Sequence, residues 1–248
     1  MTDKVLREDR DGLAILTLNR PDKLNSLNVE VFKDLSAHVQ ALAGQTDTVG
    51  CVVLRGAGRC FSAGHDLGDI AAGERLPRPH FQSHIIEALS NLPQPVITAV
   101  HGHCYTGALE LALAGDIILA SENAKFGDTH AKWALTPVWG LSQRLPRRVG
   151  QATAYEMMFT CQTSSGAQAA SMSLANQCFP DASFEADVEA FCRLVLTNSS
   201  FSHRANKRLI QHTDGLPIGA GLAHEIYNGE GRGPDMQERI AAFANRKK

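Results

Sequence analysis

Two periodicities organise this chain. In VLREDRDGLAILTLNRP, Ala14, Leu16 and Leu18 alternate with Ile15, Thr17 and Asn19, and Asp11-Gly12 stands at a tight-turn position, so the segment reads as two strands joined as a hairpin. The period then changes. Val31, Phe32, Leu35, Val39 and Leu42 recur at helical spacing behind Asn28, a residue type that caps helix N-termini with its side-chain oxygen. VGCVVLRG, PVITAV and DIILAS are near-continuous apolar runs, the pattern of strands covered on both faces. Between them lie a polar helix near His80 to Asn91 and a helix from Thr106 to Gly115. From Gly140 onward strand signals fade, and MMF, LANQ, DVEAFCRLVL, RANKRLIQ, AGLAHEI and MQERIAAFA read as successive helices. The pattern predicts an α/β chain, strand–helix units first and a helical C-terminal third, with no internal repeat or linker.

Composition narrows what such a chain does. With 248 residues, 44% of them hydrophobic, it can bury the core of one large domain or of one domain with a small appendage. The net charge of −2 shows no asymmetry toward nucleic acid or an anionic membrane, which leaves small molecules and other protein chains as expected partners. No apolar run approaches a bilayer span, and the opening MTDKVLRED has neither signal- nor transit-peptide character, so a cytoplasmic protein is expected. The six cysteines are scattered without a CxxC pair and read as reduced thiols.

Several motifs are incomplete. GAGRCF follows a strand as a dinucleotide loop would, but Phe61 replaces its third glycine. CFSAG has Cys60 where a nucleophile elbow needs glycine. His80 with His84, and His101 with His103, have metal-ligand spacing but no further ligand at a recognisable distance, so no metal is expected. Glu110 carries more weight as the only acidic side chain in HCYTGALELALAG. If buried, its carboxyl would be desolvated and suited to acid/base work; if at the helix edge, it would face solvent. The turns at Ser62–Asp66 and Thr106–Ala108 each offer backbone N–H groups beside glycine, Gly64 and Gly107, which would suit an oxyanion hole or be ordinary strand-to-helix turns.

Taken together, TLNRPDKLNSLN, CFSAGHDL, VHGHCYTGALELALAGDIILAS, FGDTHAKWALTPVWGLSQRLPRRVG and AAFANRK resemble the enoyl-CoA hydratase/isomerase (crotonase) superfamily over essentially the full length. The resemblance implies a spiral of ββα units carrying an acyl-CoA site, residues 1–190, and a C-terminal helical trimerisation region, residues 191–248, assembled as a homotrimer or dimer of trimers. It implies an acyl-CoA substrate and no other cofactor. The backbone N–H groups of His65 and Gly107 would hold the thioester oxygen. Glu110 falls on the first catalytic glutamate of the hydratases, and His130 on the second. Arg59, Ala63, Asp66, Leu67, Phe243 and Arg246 fall at CoA-binding positions, whereas Gly68 stands where many members have lysine. The loop from Ala71 to Arg78 is expected to shape the pocket mouth. Hydration of a 2-enoyl-CoA is the leading expectation. Isomerisation, thioester hydrolysis, C–C cleavage and non-catalytic acyl-CoA binding stay open, and His130 reads as an acid/base, an orienting group or a remnant.

Overall fold

A computed structural model describes residues 3–245. Strands β1 (Val5–Arg10) and β2 (Leu13–Leu18) form the expected antiparallel hairpin. Its turn residues Asp11 and Gly12 take φ of 48° and 80°, the left-handed pair that suits a two-residue connection to the right-handed twist of the strands. Helix α1 (Val29–Ala43) starts where the Asn28 side chain accepts the Val31 N–H, and it buries the five residues that its periodicity singles out. There follow β3 (Cys51–Gly56), α2 (Leu67–Ala71), α3 (Phe81–Ser90), β4 (Val96–Val100), β5 (His103–Tyr105), α4 (Gly107–Ala112), β6 (Ile117–Ser121) and β7 (Lys125–Gly127). The chain continues through α5 (Leu141–Val149), α6 (Gln151–Thr160), β8 (Ser164–Ser165), α7 (Gly166–Ser171), β9 (Gln177–Phe179), α8 (Phe184–Leu196), α9 (Ser200–Thr213), α10 (Ile218–Asn228) and α11 (Met236–Asn245).

The main sheet has the order β1-β2-β3-β4-β6-β9, parallel beyond the first hairpin. A small second sheet has the order β5-β7-β8. The continuous apolar strands are explained by cover on both faces. Leu16, Val52, Leu54, Val100 and Ile118 pack in one cluster with Phe32, Leu35, Ile86 and Leu109 of α1, α3 and α4. Leu13, Ile15, Val53, Ile97 and Leu119 pack in another with Phe184, Val188 and Cys192 of α8. Each large side chain buried in these layers contributes about 2 kcal/mol. All six cysteines are free, five of them buried.

Three expectations require correction. LANQ is not helical: Leu174 and Ala175 are buried in a turn, and Gln177 opens β9, the sixth strand of the main sheet. Strands therefore persist beyond Gly140, because β8 and β9 are too short to show a period. The helix near His80 to Asn91 is amphipathic rather than polar, burying Phe81, Ile85, Ile86 and Leu89 and packing on α1. Residue 190 lies within α8. Beyond that helix burial thins out: α9 buries only Ala205, and α10 and α11 bury none of their residues, leaving Ile218 83% and Tyr227 84% exposed. Among the described residues no helix is long and apolar enough to cross a membrane.

Candidate active site

Two neighbouring parallel strands bring the chemistry together. β5 pairs with β7 so that Tyr105 lies opposite Gly127. The chain leaving β5 enters α4 with Gly107 and Glu110, and the chain leaving β7 reaches Asp128 and His130. Thr106 extends the pairing, its N–H donating to the Gly127 carbonyl at 2.8 Å and its hydroxyl accepting the Thr129 N–H at 3.0 Å. Thr106 takes φ 53° and ψ −109°, a costly backbone for a β-branched residue, and these bonds hold it there.

Glu110 is 1% exposed, so the solvent-facing alternative is excluded. Its Oε1 accepts the N–H groups of Trp139 at 2.8 Å and Leu141 at 3.1 Å. Gly140, at φ 110°, adopts the left-handed turn between those two donors. Burial raises the Glu110 carboxyl above its ordinary range, although both backbone donors and the nearby His130 pull the other way. His130 opens a 3₁₀ turn, His130–Trp133, and is 8% exposed. Its Nδ1 lies 2.6 Å from Asp128 Oδ1 and its Nε2 3.8 Å from Glu110 Oε2.

Across the cavity the loop from Cys60 to Asp66 is built on the N-terminal segment. The Ala63 N–H donates to the Leu24 carbonyl, the Leu27 N–H to that of Gly64, and the Asp66 N–H to that of Leu27, at 2.8–2.9 Å. Buried Asn25 donates from Nδ2 to the carbonyls of Ala57 and Cys60, each at 2.8 Å. Gly64, at φ 105°, is required: a Cβ there would lie 2.6 Å from the Tyr105 carbonyl oxygen. Gly107 is required for a different reason, because its Cβ would lie 2.5 Å from the Trp139 ring and 3.3 Å from the His65 nitrogen. Neither the His65 nor the Gly107 N–H has an acceptor among the described residues. Two unengaged amides beside one open space are the equipment for holding a developing oxyanion.

These groups line a cavity of about 410 Å³ that includes Ala63, His65, Gly107, Glu110 and His130, with Leu67, Ile70, Leu135, Val138 and Trp139 forming apolar wall. The Trp139 ring packs against the His65 imidazole at a tilt of 39°, 4.7 Å between centroids, and His65 Nε2 lies 3.0 Å from Glu74 Oε2 in the loop expected at the mouth. Of the sequence-derived CoA positions, Ala63 and Leu67 line the cavity. Asp66 does not; its carboxylate caps α2 through the Gly68 N–H and accepts from Arg20 and Ser26 at 3.1 and 2.9 Å. Burial alone would raise its carboxyl, but the bonds from Ser26 and Arg20 outweigh that and hold it below the ordinary range. Arg59 is exposed, its charge acting with Lys125 to disfavour protonation of His103 beyond the effect of burial. Phe243 is exposed on α11 outside the cavity lining, and Arg246 lies outside the described residues. Among the described residues no group of three or more His, Cys, Asp or Glu side chains is placed to hold a metal ion. Sequence reasoning missed the Trp139 and Leu141 amides and the orientation of Asp128. The left-handed signal of Gly140 pointed to the former, and the Asp-x-His spacing to the latter.

The chain is similar to known proteins over nearly its whole length. The family model for enoyl-CoA hydratase/isomerase matches residues 8–248. A 1,2-epoxyphenylacetyl-CoA isomerase of Escherichia coli K12 is 32% identical over 252 residues, covering 98% of this chain and 96% of its own. The crystal structure of an enoyl-CoA hydratase from Bacillus anthracis superposes with a TM-score of 0.90 at 28% identity, covering 98% of this chain and 96% of that one. A Thermobifida fusca YX chain solved in complex with acetoacetyl-CoA superposes at 0.83 with 25% identity, covering 98% and 96%. From the hairpin through the glutamate-bearing helix to the last helices, the chain belongs to the enoyl-CoA hydratase/isomerase family.

Proposed function

We propose that this protein hydrates the double bond of a 2-enoyl-CoA, with Glu110 as the main acid/base and His130 as the second proton-handling group. The observation that carries this reading is the pairing of Glu110 Oε2 with His130 Nε2, 3.8 Å apart in a cavity that also contains the free amides of His65 and Gly107. A water hydrogen-bonded to both atoms fits that separation. Its oxygen adds to the β-carbon while one proton passes to one of the two side chains. The electron pair of the double bond moves onto the thioester oxygen, where the His65 and Gly107 N–H groups stabilise the enolate. The other side chain then delivers a proton to the α-carbon. Glu110 suits this task because burial raises its carboxyl toward the range in which it can both give and take a proton.

Recognition of the substrate rests on the coenzyme A portion; one relative is named for 1,2-epoxyphenylacetyl-CoA and one structural neighbour was solved in complex with acetoacetyl-CoA. Ala63 and Leu67, which line the cavity, are the first candidates for contact with CoA. The reaction needs no resident metal or cofactor. The protein acts as a homotrimer or a dimer of trimers in the cytoplasm; assembly would cover exposed Ile218, Ile226 and Tyr227, which leave a large apolar surface on an isolated chain.

The test is turnover of 2-enoyl-CoAs with acyl chains of graded length, followed by loss of the conjugated thioester absorbance and by identification of the product. A 3-hydroxyacyl-CoA is expected. A shifted double bond would make the enzyme an isomerase, and release of free CoA a thioesterase; either result overturns hydration while leaving the enolate-binding site in place.

A further inference from the structure

Asp128 is a buried carboxylate, 1% exposed, and burying such a group is costly unless it is well paired. No Lys or Arg meets it among the described residues. Its hydrogen bonds go to one residue: Oδ1 accepts the His130 backbone N–H at 3.2 Å and lies 2.6 Å from His130 Nδ1. An oxygen already accepting a backbone N–H is placed to accept again, so the ring proton belongs on Nδ1. The lone pair of neutral His130 is then on Nε2, the atom 3.8 Å from Glu110 Oε2. On the far side Glu110 is similarly polarised, since Oε1 is occupied by the Trp139 and Leu141 amides and Oε2 is the oxygen left for chemistry.

We propose that Asp128 is a positioning residue that fixes His130 as the Nδ1–H tautomer and turns its basic Nε2 toward the water-binding side of the cavity. The proposal rests on the hydratase reading and divides the labour that it left open. In the forward direction His130 Nε2 takes the proton of the attacking water as the C–O bond forms. Protonated Glu110 gives its proton to the α-carbon as the enolate collapses, and so becomes a carboxylate. The imidazolium, held by Asp128, returns its proton from Nε2 to Glu110 Oε2, which restores both groups with no net change. Asp128 touches neither water nor substrate in this scheme. It acts through the imidazole, as the outer carboxylate does in other carboxylate–histidine pairs.

The decisive experiment is a double-mutant cycle with a short 2-enoyl-CoA, joined to a spectroscopic assay on the wild-type protein. Asp128→Asn keeps the shape and removes the charge. It is expected to lower kcat about 10- to 100-fold with KM changed by less than about threefold. In a His130→Gln background the same change is expected to lower kcat less than about twofold, because the group it acts through is gone. An equal loss in both backgrounds would make Asp128 a structural residue and overturn the proposal, as would wild-type kcat in the single variant. Nitrogen-15 spectra of histidine-labelled protein at high pH, with His130 assigned by difference from His130→Gln, are expected to show a protonated Nδ1 and an unprotonated Nε2. The opposite tautomer overturns the proposal even if Asp128→Asn fails to fold. If the wild-type enzyme hydrates no enoyl-CoA, the hydratase reading falls, and the tautomer still decides whether Asp128 sets the ring.

Discussion

Glu110 lines the cavity and Asp66 lies outside its lining, and the surroundings of these two carboxylates differ in kind. Glu110 is buried at the cavity wall and bonded through one oxygen to two neutral amides, and burial pushes its carboxyl up against the opposing pull of those amides and His130. Asp66 sits against the Arg20 guanidinium and the Ser26 hydroxyl, which outweigh burial and hold its carboxyl down. The first arrangement favours the protonated carboxyl more than water would. The second makes a permanent anion that clamps the Arg20–Ser26 segment to the start of α2. A sequence shows two acidic residues near glycine turns; only the identity of their partners separates proton transfer from scaffolding.

The sharpest way to break this contrast is Glu110→Gln. The amide keeps an oxygen for the Trp139 and Leu141 donors but cannot transfer the proton, and kcat is expected to fall by about 10²- to 10⁴-fold. Its stability should follow a distinct pH course. Because the folded-state Glu110 carboxyl is raised, its favourable contribution is present below the unfolded value and is lost as pH rises through the folded one. The variant lacks that loss, so its melting temperature relative to wild type should climb between pH 4 and pH 8. A flat difference, or unchanged turnover, would remove Glu110 from the chemistry.

Gly107→Ala probes the same side with a smaller effect. The added methyl would press on the Trp139 ring and crowd the His65 amide, and kcat/KM is expected to drop about a hundredfold, as when one oxyanion donor is lost. Steady-state rates alongside acyl-CoA affinity check this, and a normal rate would show that these amides do not bind the reacting oxygen.

Asp66→Asn should do the reverse, sparing kcat within about twofold while lowering the melting temperature by about 2 °C at neutral pH, the scale of a partly exposed ion pair. The sign of its pH dependence is opposite to that of Glu110. A lowered folded-state carboxyl contributes stability above the unfolded value and loses it as pH falls through the folded one, so the gap between variant and wild type should close between pH 5 and pH 3. A tenfold loss of kcat with stability intact would place Asp66 in the reaction and dissolve the contrast.

The residues differ in how openly they announced themselves. Helix α1 was legible down to its cap, because Asn28 and its five apolar residues act within one short segment. The hairpin turn was equally local, since Asp11 and Gly12 take the left-handed backbone that their types favour. Glu110 was conspicuous as a lone charge in an apolar helix, and Gly107 as a residue that a ligand could approach. β9 stayed hidden, because three residues carry no period and its LANQ approach resembles a helix turn. The ion pair of Asp66 was not legible in the same way, because Arg20, its partner, is 46 positions away.

The sequence by itself therefore determined most of the elements, the family resemblance and which side chains are candidates for chemistry, since propensity, capping and periodicity are effects of near neighbours. Tertiary structure alone decided what those side chains can do. It was the pairing of β5 with β7 that set His130 opposite Glu110, and the left-handed turn at Gly140, 30 residues after the glutamate, that aimed two amides at its Oε1. Burial and hydrogen-bond partners come from segments distant along the chain, and they govern where a proton rests. That is why a carboxylate's identity can be read from a sequence, but its working state only from the fold.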